Sequence, residues 1–393
     1  MRVGIVGAGF MGVVHAAAWA ATDATVTGVL PGPATPREQV TDRLGLPVYP
    51  DLPALLGDVD VVDVCAPTDV HHELVLAAAA AGRNVICEKP LARTVAQGEA
   101  MVAACRDAAV TLLVGHVVRF FPEYAATKAA VDRGDVGTPA VLRLSRSSFQ
   151  PRRPTDSFAD PGSAKRSGGP TASNWYLDEA RSGGLVLDLM IHDLDFARWV
   201  AGDVASVYAK RVRSAHAAAQ TDHALAILRH RNGALSHVEA SWAHPPPVFR
   251  TSGEIAGTTG LLTFDSDASA PVRTFLVRRS RSGAAAAEAG DVGLPSSPLR
   301  EAPHTTQIRH FADVLRGDAE PIVSARDGLE ALRLAAAAAE STRTGQPALV
   351  STGRESSRIL VPRNTRRTGS AGRESGASAS EPASGDSSRG ARP

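Results

Sequence analysis

The chain has few cysteines, almost no net charge and no long apolar run. Its 393 residues include only Cys65, Cys87 and Cys105, an odd number without the spacing of a metal site. This pattern argues against a disulfide framework and predicts reduced thiols in a cytoplasmic protein. The formal net charge of +1 gives the whole chain no electrostatic basis for binding nucleic acid or membranes.

Apolar runs are also shorter than the roughly 20 residues that a membrane helix needs. The first residues, MRVGIVGAGFMG, place one arginine before an apolar stretch, as a signal peptide does. Three glycines interrupt that stretch, so a glycine-rich loop followed by a helix explains it better. With 44% hydrophobic residues, the chain is long enough for two domains that each bury a core.

Short apolar runs alternate with helical patterns in the first part of the chain, which is typical of βαβ units. Predicted strands span 2–6, 26–30, 59–65, 84–87 and 111–115, and predicted helices span 10–21, 36–44, 70–81 and 94–108. The strands are continuous and β-branched, as expected for a parallel sheet buried on both faces. We therefore predict an α/β domain with a doubly wound parallel sheet over residues 1–122.

The pattern changes after residue 136, where strands follow one another with few helices between them. Predicted strands span 139–148, 204–213, 221–230, 234–243, 249–256 and 259–264, and helices near 304–316 and 326–342 close the fold. This order predicts an α+β domain with a largely antiparallel open sheet over 123–350. Compositional bias predicts a long loop at 151–172, a surface connection at 280–299 and a disordered tail at 351–393.

The stretch GAGFMG places three glycines directly after the first strand and at the start of a helix. Gly7 permits the tight turn, Gly9 lets the backbone approach a pyrophosphate, and Gly12 allows close packing of helix and strand. The helix N-terminus supplies partial positive charge. In this context the motif predicts a Rossmann domain that binds a dinucleotide.

One expected part of an NAD site is absent. Such sites usually carry an acid at the end of the second strand, where it binds the adenosine ribose. Here Pro31 and Gly32 occupy that place. Arg37 is close enough in sequence to meet the 2′-phosphate of NADP, but an exposed arginine in the first helical turn is an equal interpretation. The sequence leaves NAD and NADP open.

Polar loops marked by proline follow three predicted strands. They are APTDVHHE (66–73), CEKPLA (87–92) and GHVVRFFPEY (115–124). Ligands of open α/β sheets bind at the carboxyl ends of the strands, so these loops should border the cofactor. Lys89 comes directly after the apolar stretch NVIC, which places its ammonium group near a strand end.

The apolar helix LVLDLMIHDLD (185–195) also carries polar side chains. Asp188 and His192 are four residues apart, which puts them on one helix face. His192 has the only side chain there that ordinarily titrates near neutral pH, so it can accept a hydroxyl proton. The alternative is a structural hydrogen-bonded pair. Asp193 and Asp195 are expected to support packing.

Taken in order, the glycine loop, the EKP block, GH-x-x-R-F-x-P and GG-x-x-x-D-x-x-x-H-D-x-D resemble the glucose–fructose oxidoreductase / inositol dehydrogenase / MocA family. The resemblance runs from Met1 to about residue 345. It implies an NAD(P)-dependent oxidoreductase that moves a hydride between the nicotinamide and a secondary hydroxyl or ketone of a sugar, inositol or related polyol. It also implies catalytic roles for Lys89, Asp188 and His192: His192 moves the proton, Asp188 orients its imidazole, and Lys89 stabilises the substrate oxygen.

The resemblance further implies a set of cofactor contacts. They are Gly7, Gly9, Phe10, Met11, Gly12, Pro67, Thr68, His71, Glu88, Lys89, Arg119 and Trp175, the last in SNWYLD (173–178), which resembles the family's loop over the nicotinamide. A homodimer or homotetramer built on the open sheet face is expected. No metal is expected, because the adjacent His71 and His72 would point about 100° apart on a helix.

Two alternatives use the same fold. One is an NAD-dependent glycosidase, in which the cofactor is reduced and reoxidised within each cycle. The other is a non-catalytic NAD(P)-binding regulator, against which the retained Lys89, Asp188 and His192 argue. The insertion at 151–172 lies near the expected substrate cleft and leaves the identity of the sugar or polyol open.

Overall fold

Five parallel strands form the first sheet of the computed structural model, which describes residues 1–33, 35–149, 175–213, 222–245, 248–267, 272–276 and 301–351. The elements are β1 (Arg2–Val6), α1 (Phe10–Trp19), β2 (Thr25–Leu30), α2 (Arg37–Leu44), α3 (Leu52–Asp58), β3 (Val61–Val64), α4 (His71–Ala80), β4 (Asn84–Glu88), α5 (Val95–Asp107) and β5 (Leu112–Gly115). The strand order is β2-β1-β3-β4-β5. The predicted doubly wound parallel sheet is confirmed.

The chain order of the strands reverses between β1 and β3, which are neighbours in the sheet. Such a switch point opens a crevice at the carboxyl ends of the strands, where open α/β sheets bind ligands. The glycine loop follows β1 and the segment from residue 65 follows β3. The fold therefore places both loops at this crevice.

The second sheet has eight strands. Its elements are α6 (Pro122–Asp132), β6 (Pro139–Ser148), α7 (Glu179–Ser182), α8 (Ile191–Ala201), β7 (Val204–Val212), β8 (His223–His230), β9 (Leu235–Ser241), β10 (Phe249–Gly257), β11 (Gly260–Asp265), β12 (Val272–Leu276), α9 (Pro303–Arg316), α10 (Ala325–Thr344) and β13 (Ala348–Leu349). The order is β12-β11-β10-β6-β9-β8-β7-β13, and only the β6–β9 pair is parallel among these described strands. The expectation of a largely antiparallel open sheet is confirmed.

Three helices, α3, α6 and α7, were not predicted from the sequence. Helix α3 has only seven residues, too few to show a helical period, but Asp51 caps it by accepting the Ala54 N–H at 2.9 Å. Helix α6 begins at Pro122, inside a stretch that we interpreted only as a polar loop. The predicted loop at 151–172, the connection at 280–299 and the tail from residue 352 lie outside the described residues.

The last two described helices pack against the first domain. Helix α9 packs against α1, and α10 packs against both α5 and β5. The eight-stranded sheet is covered on one face by α8 and α10, while β8 alternates buried and exposed residues. Among the described residues, no helix has the length and apolar character needed to cross a membrane.

Candidate active site

The glycine loop has the geometry that a pyrophosphate requires. Gly7 adopts a φ of +109°, and a Cβ there would lie 2.5 Å from the Cys65 carbonyl oxygen. A Cβ on Gly12 would lie 2.0 Å from the Gly7 carbonyl oxygen, so both positions need glycine. A Cβ on Gly9 would meet nothing within 4 Å among the described residues, which leaves this backbone open at the start of α1. The loop therefore fits a dinucleotide phosphate.

Arg37, the residue considered for a 2′-phosphate, lies at the start of α2 with an exposed side chain. Its Nη2 donates a hydrogen bond to the carbonyl oxygen of Pro50 at 2.7 Å. This bond engages the guanidinium with backbone, in agreement with an ordinary surface arginine.

Lys89 lies directly after β4 and reaches the second domain. Its Nζ donates to the backbone carbonyl oxygen of Asp188 at 2.7 Å and to Oδ1 of the same residue at 3.2 Å. The Lys89 and Asp188 side chains are only 16% and 11% exposed, so the ion pair is largely shielded from water. Two of the three predicted catalytic residues therefore meet.

The helix that carries Asp188 is not an uninterrupted α-helix. Residues Val186–Met190 form a π-helical segment that leads into α8. A π-helix bonds residue i to i+5, so the spacing argument that put Asp188 and His192 on one α-helical face does not apply. Within the described part of the chain, no hydrogen bond joins the two side chains. The Asp188 carboxylate binds Lys89, and its orientation of the His192 imidazole stays a prediction.

His192 lies one residue after the start of α8 and is half-buried. Its Nδ1 is buried and has no hydrogen-bond partner among the described residues. Burial lowers the pKa of His192 well below 6.5, and the positive charges of Lys89 and Arg146 lower it further. The imidazole is therefore neutral near pH 7, which is the form that accepts a proton.

Arg119 takes a different position from the one predicted. Its guanidinium donates to Asp195 at 2.8 and 2.6 Å and to the carbonyl oxygen of Ile322 at 2.8 Å. Arg119 and Asp195 are each about 1% exposed. These bonds engage the side chain inside the protein, which argues against the predicted cofactor contact.

The two aspartates that were expected to support packing do so. Asp195 binds Arg119, and Asp193 accepts hydrogen bonds from Arg146 at 2.6 and 3.0 Å. Both aspartates are buried, and each is paired with one arginine. They fix α8 against its neighbours.

His71 connects two of the loops at the sheet edge. It begins α4 and is buried, with Nε2 at 2.9 Å from the Ala66 carbonyl oxygen and Nδ1 at 3.1 Å from that of Pro90. Because both ring nitrogens lie at backbone carbonyls, the geometry favours a role for His71 in fixing the start of α4 over a direct cofactor contact. The bridge sets the position of the chain beside Lys89.

Tyr176 is a site residue that the sequence analysis missed. Burial raises the pKa of the Tyr176 phenol, and the negative charges of Asp188 and Glu88 raise it further. Trp175 stacks on Tyr176 with ring centroids 4.0 Å apart. The stretch SNWYLD contains both rings, but only Trp175 was selected from it.

The turn after these rings is fastened to the first domain. Arg181 donates to Asp69 at 2.7 Å, and Arg93 donates to the carbonyl oxygen of Ala180 at 2.9 Å. Asp69 belongs to the loop after β3 and Arg93 follows the Lys89 loop. The aromatic pair is thereby kept at the sheet edge that carries Lys89.

The sequence also matches known families and proteins. Residues 1–116 match the model of an oxidoreductase family with an NAD-binding Rossmann fold, and residues 124–263 match the model of a GFO/IDH/MocA C-terminal domain. A D-apiose dehydrogenase of Paraburkholderia graminis is 33% identical over 353 residues, covering 87% of this chain and 88% of that protein. A myo-inositol 2-dehydrogenase of Thermotoga maritima is 29% identical over 363 residues, covering 87% and 96%.

Solved structures have the same fold. A levoglucosan dehydrogenase in complex with NADH and levoglucosan superimposes with a TM-score of 0.75 at 23% identity, over 90% of this chain and all of that one. An oxidoreductase domain protein from Kribbella flavida gives a TM-score of 0.75 at 25% identity, over 89% of this chain and 99% of that one. The two-sheet architecture is therefore shared across nearly the whole length of these proteins.

Proposed function

The chain belongs to the GFO/IDH/MocA oxidoreductase family, and from this membership and the site geometry we propose that it oxidises a secondary hydroxyl of a sugar, inositol or related polyol with NAD(P)⁺, or reduces the matching ketone. The observation that carries the proposal is the contact of Lys89 with Asp188, together with a neutral His192. Relatives named D-apiose dehydrogenase and myo-inositol 2-dehydrogenase support the substrate class.

Each catalytic side chain has a distinct role in this proposal. When bound, the nicotinamide supplies the acceptor for the hydride. Lys89 donates a hydrogen bond to the substrate oxygen and stabilises its developing negative charge. His192 accepts the hydroxyl proton at Nε2, since its Nδ1 is buried. Asp188 keeps the Lys89 ammonium in place through its carbonyl and carboxylate oxygens.

The cofactor contacts that we propose are those whose positions remain compatible with the structure. They are Gly7, Gly9, Phe10, Met11, Gly12, Pro67, Thr68, Lys89 and Trp175. Glu88 is buried beside His15, and the side chains of His71 and Arg119 bind protein atoms. We propose NAD as the preferred cofactor. Arg37, the candidate for binding a 2′-phosphate, binds the Pro50 carbonyl instead. The levoglucosan dehydrogenase structure of the same fold holds NADH.

The open sheet face supports the proposed homo-oligomer. Leu225 and Ile227 on β8 are 43% and 39% exposed, and Leu235 on β9 is 41% exposed. Exposed apolar patches of this kind often mark contacts between subunits. Light scattering of the purified protein should give a dimer or tetramer, whereas a monomer would contradict the proposal.

The free, buried thiols of Cys65, Cys87 and Cys105 support a cytoplasmic location.

A substrate panel tests the proposed reaction. Purified protein is mixed with NAD⁺ or NADP⁺ and with D-apiose, levoglucosan and the inositols, and absorbance at 340 nm reports reduced cofactor. We expect one class of polyol to be oxidised, with NAD⁺ more effective than NADP⁺. Tight NAD⁺ binding without turnover of any member, together with release of nitrophenol from a nitrophenyl glycoside, would contradict it.

A further inference from the structure

A buried network of charged side chains lies between the glycine loop and the catalytic lysine. His15 comes from α1, Asp63 from β3 and Glu88 from the end of β4. The side chains of His15 and Asp63 are 0% exposed, and that of Glu88 is 8% exposed. The sequence did not predict this network, because the stretch FMGVVHAAAW, which contains His15, has the pattern of an ordinary apolar helix.

Both ring nitrogens of His15 face a carboxylate. Nδ1 lies 2.9 and 3.0 Å from the two carboxylate oxygens of Asp63, and Nε2 lies 3.2 Å from Oε1 of Glu88. The Nδ1 contact is a hydrogen bond, whereas Nε2 and Glu88 Oε1 lie within ion-pair distance without hydrogen-bond geometry. Only a doubly protonated imidazole carries the positive charge that pairs with both carboxylates. Trp19, one helical turn after His15, donates to Asp63 Oδ2 at 2.8 Å. The two carboxylates and the indole therefore fit an imidazolium.

The surrounding charges favour the same state. Burial alone would lower the pKa of His15, but the interactions with Asp63 and Cys65 outweigh it and hold that pKa well above 6.5. Burial raises the pKa of Glu88, and His15 and Lys89 lower it to a net value below 4.5. His304 of α9 also faces the network, and burial lowers its pKa to about 4, so it is neutral.

The same residues could be taken for a metal site, since His15, Asp63 and Cys65 offer ligand atoms within 4.8 Å of one another. A metal needs a deprotonated thiol. Burial and the Asp63 charge raise the pKa of Cys65 far above its usual value, so the thiol keeps its proton. The carboxylate of Asp63 already accepts hydrogen bonds from Trp19 and His15. These three side chains are therefore better suited to holding a protonated His15 imidazole than to binding a metal ion.

Glu88 connects this network to the catalytic lysine. Its Oε2 accepts the backbone N–H of Lys89 at 3.2 Å. Gly115 pairs with Glu88 across β4 and β5, and a Cβ at Gly115 would lie 2.5 Å from Glu88 Oε1. Because Gly115 has no side chain, the Glu88 carboxylate fits beside β5. The same carboxylate holds the backbone N–H of Lys89.

We propose that His15 is a positioning residue for the catalytic lysine. As an imidazolium held by Asp63, it fixes the Glu88 carboxylate against the Lys89 backbone, and so couples helix α1, which begins at the glycine loop, to the Lys89 ammonium. The inference rests on the proposed function only in taking Lys89 as catalytic. It adds a role for three buried residues that need touch neither substrate nor cofactor.

The charge state of His15 is tested without any substrate. Protein labelled with ¹⁵N in the histidine rings is titrated by long-range ¹H–¹⁵N NMR, and the His15 signals are assigned by their loss in His15→Gln. We expect both ring nitrogens to stay protonated from pH 6 to well above neutrality. A neutral His15 ring at pH 7, or stoichiometric metal found by mass spectrometry, would overturn the proposal.

The positioning role is tested in His15→Gln and in the near-isosteric Glu88→Gln, with the exposed His244→Gln as a control. With NAD⁺ and the panel compound that the wild type oxidises, kcat should fall on the order of 10-fold to 100-fold in both variants, since a misplacement of about 1 Å can cost about 100-fold. The Kd for NAD⁺, from tryptophan fluorescence, should change less than about twofold. Equal losses of kcat and NAD⁺ affinity, or unchanged kcat, would overturn the role.

The pH profile separates positioning from a merely structural effect. Without the imidazolium the pKa of Glu88 rises, so kcat of His15→Gln should increase with pH over a range where the wild type is flat, and Glu88→Gln should lack that increase. A His15→Gln profile parallel to the wild type would contradict the coupling. If Lys89→Ala retains full activity, the proposed function itself fails. If Lys89→Ala is inactive and the His15 variants are normal, only this inference fails.

Discussion

Lys89 Nζ lies 2.7 Å from the backbone carbonyl oxygen of Asp188, a residue 99 positions away in the chain. The carboxylate Oδ1 of the same residue lies 3.2 Å from Nζ. A carbonyl oxygen and a carboxylate thus direct one ammonium group, and the π-helical segment presents both. This contact joins the loop after β4 of the first sheet to the helix that carries His192.

Asp188→Asn should separate the two parts of this contact. The substitution removes the negative charge but leaves the backbone carbonyl that accepts from Lys89. We expect kcat to fall on the order of 10-fold, equal to about 1.4 kcal/mol in the activation free energy, with little change in NAD⁺ affinity. Steady-state kinetics with exposed Asp107→Asn as the control measure this. A wild-type kcat in Asp188→Asn would show that the carboxylate contributes nothing.

His192 should titrate far below an ordinary histidine. Burial and the charge of Lys89 lower its pKa well below 6.5, so its neutral form persists as pH falls through 6.5. The acid limb of kcat/KM that belongs to His192 should therefore lie well below pH 6.5. In Lys89→Met the pKa of His192 should rise, whereas exposed Lys210→Met should leave it unchanged, and NMR titration measures both. A wild-type His192 pKa near 6.5 would contradict the described environment.

Gly9→Ala should weaken NAD⁺ binding without harming the fold. Its φ of −73° suits any residue, and a Cβ there would meet nothing within 4 Å among the described residues. The added methyl group would instead lie where the pyrophosphate approaches. We expect an unchanged melting temperature and a Kd for NAD⁺ raised on the order of 10-fold or more, about 1.4 kcal/mol. Gly57→Ala, which also has open space, is the matched control, and unchanged NAD⁺ affinity in Gly9→Ala would place the cofactor elsewhere.

Asp195→Asn should destabilise the protein strongly. It removes the nearer of the two carboxylates beside the buried guanidinium of Arg119 and leaves Asp327, whose Oδ1 lies 3.3 Å from the guanidinium. Removing one partner of a buried ion pair costs about 3–5 kcal/mol in the free energy of unfolding. Burial opposes ionisation of Asp195, but Arg119 and His116 outweigh it and lower its pKa below 3.8. The stabilisation is therefore present above pH 3.8 and lost as pH falls through the lowered pKa.

Urea denaturation across this pH range checks the prediction. The exposed ion pair of Arg250 with Asp267 provides the control, since Asp267→Asn should change stability little. If Asp195→Asn unfolds at the same urea concentration as the wild type, the pair with Arg119 is not a stabilising element.

The parts of the site that the sequence predicted are those fixed by strand ends and glycine geometry. Lys89 follows a strongly apolar strand, so its place at the sheet edge followed from the parallel order of the strands. Gly7 and Gly12 have steric requirements that are local to their turn and helix. These arguments need no knowledge of distant contacts.

The parts that the sequence did not predict depend on tertiary packing. The π-helical segment over Val186–Met190 has no distinct residue pattern, so α-helical spacing was applied to Asp188 and His192. The ion pair of Arg119 with Asp195 joins residues 76 positions apart. The ion pair of His15 with Glu88 depends on the order of the strands in the sheet. Such pairings become visible only when the elements are placed side by side.

The central claim is that, once NAD⁺ has bound, His192 accepts the hydroxyl proton and Lys89 stabilises the developing negative charge on the substrate oxygen. Stopped-flow absorbance at 340 nm, with enzyme in excess over the panel polyol, measures the first turnover directly. Lys89→Met and His192→Gln should bind NAD⁺ within about twofold of the wild type but form NADH at least about 100-fold more slowly. A first turnover at the wild-type rate in either variant would contradict the account.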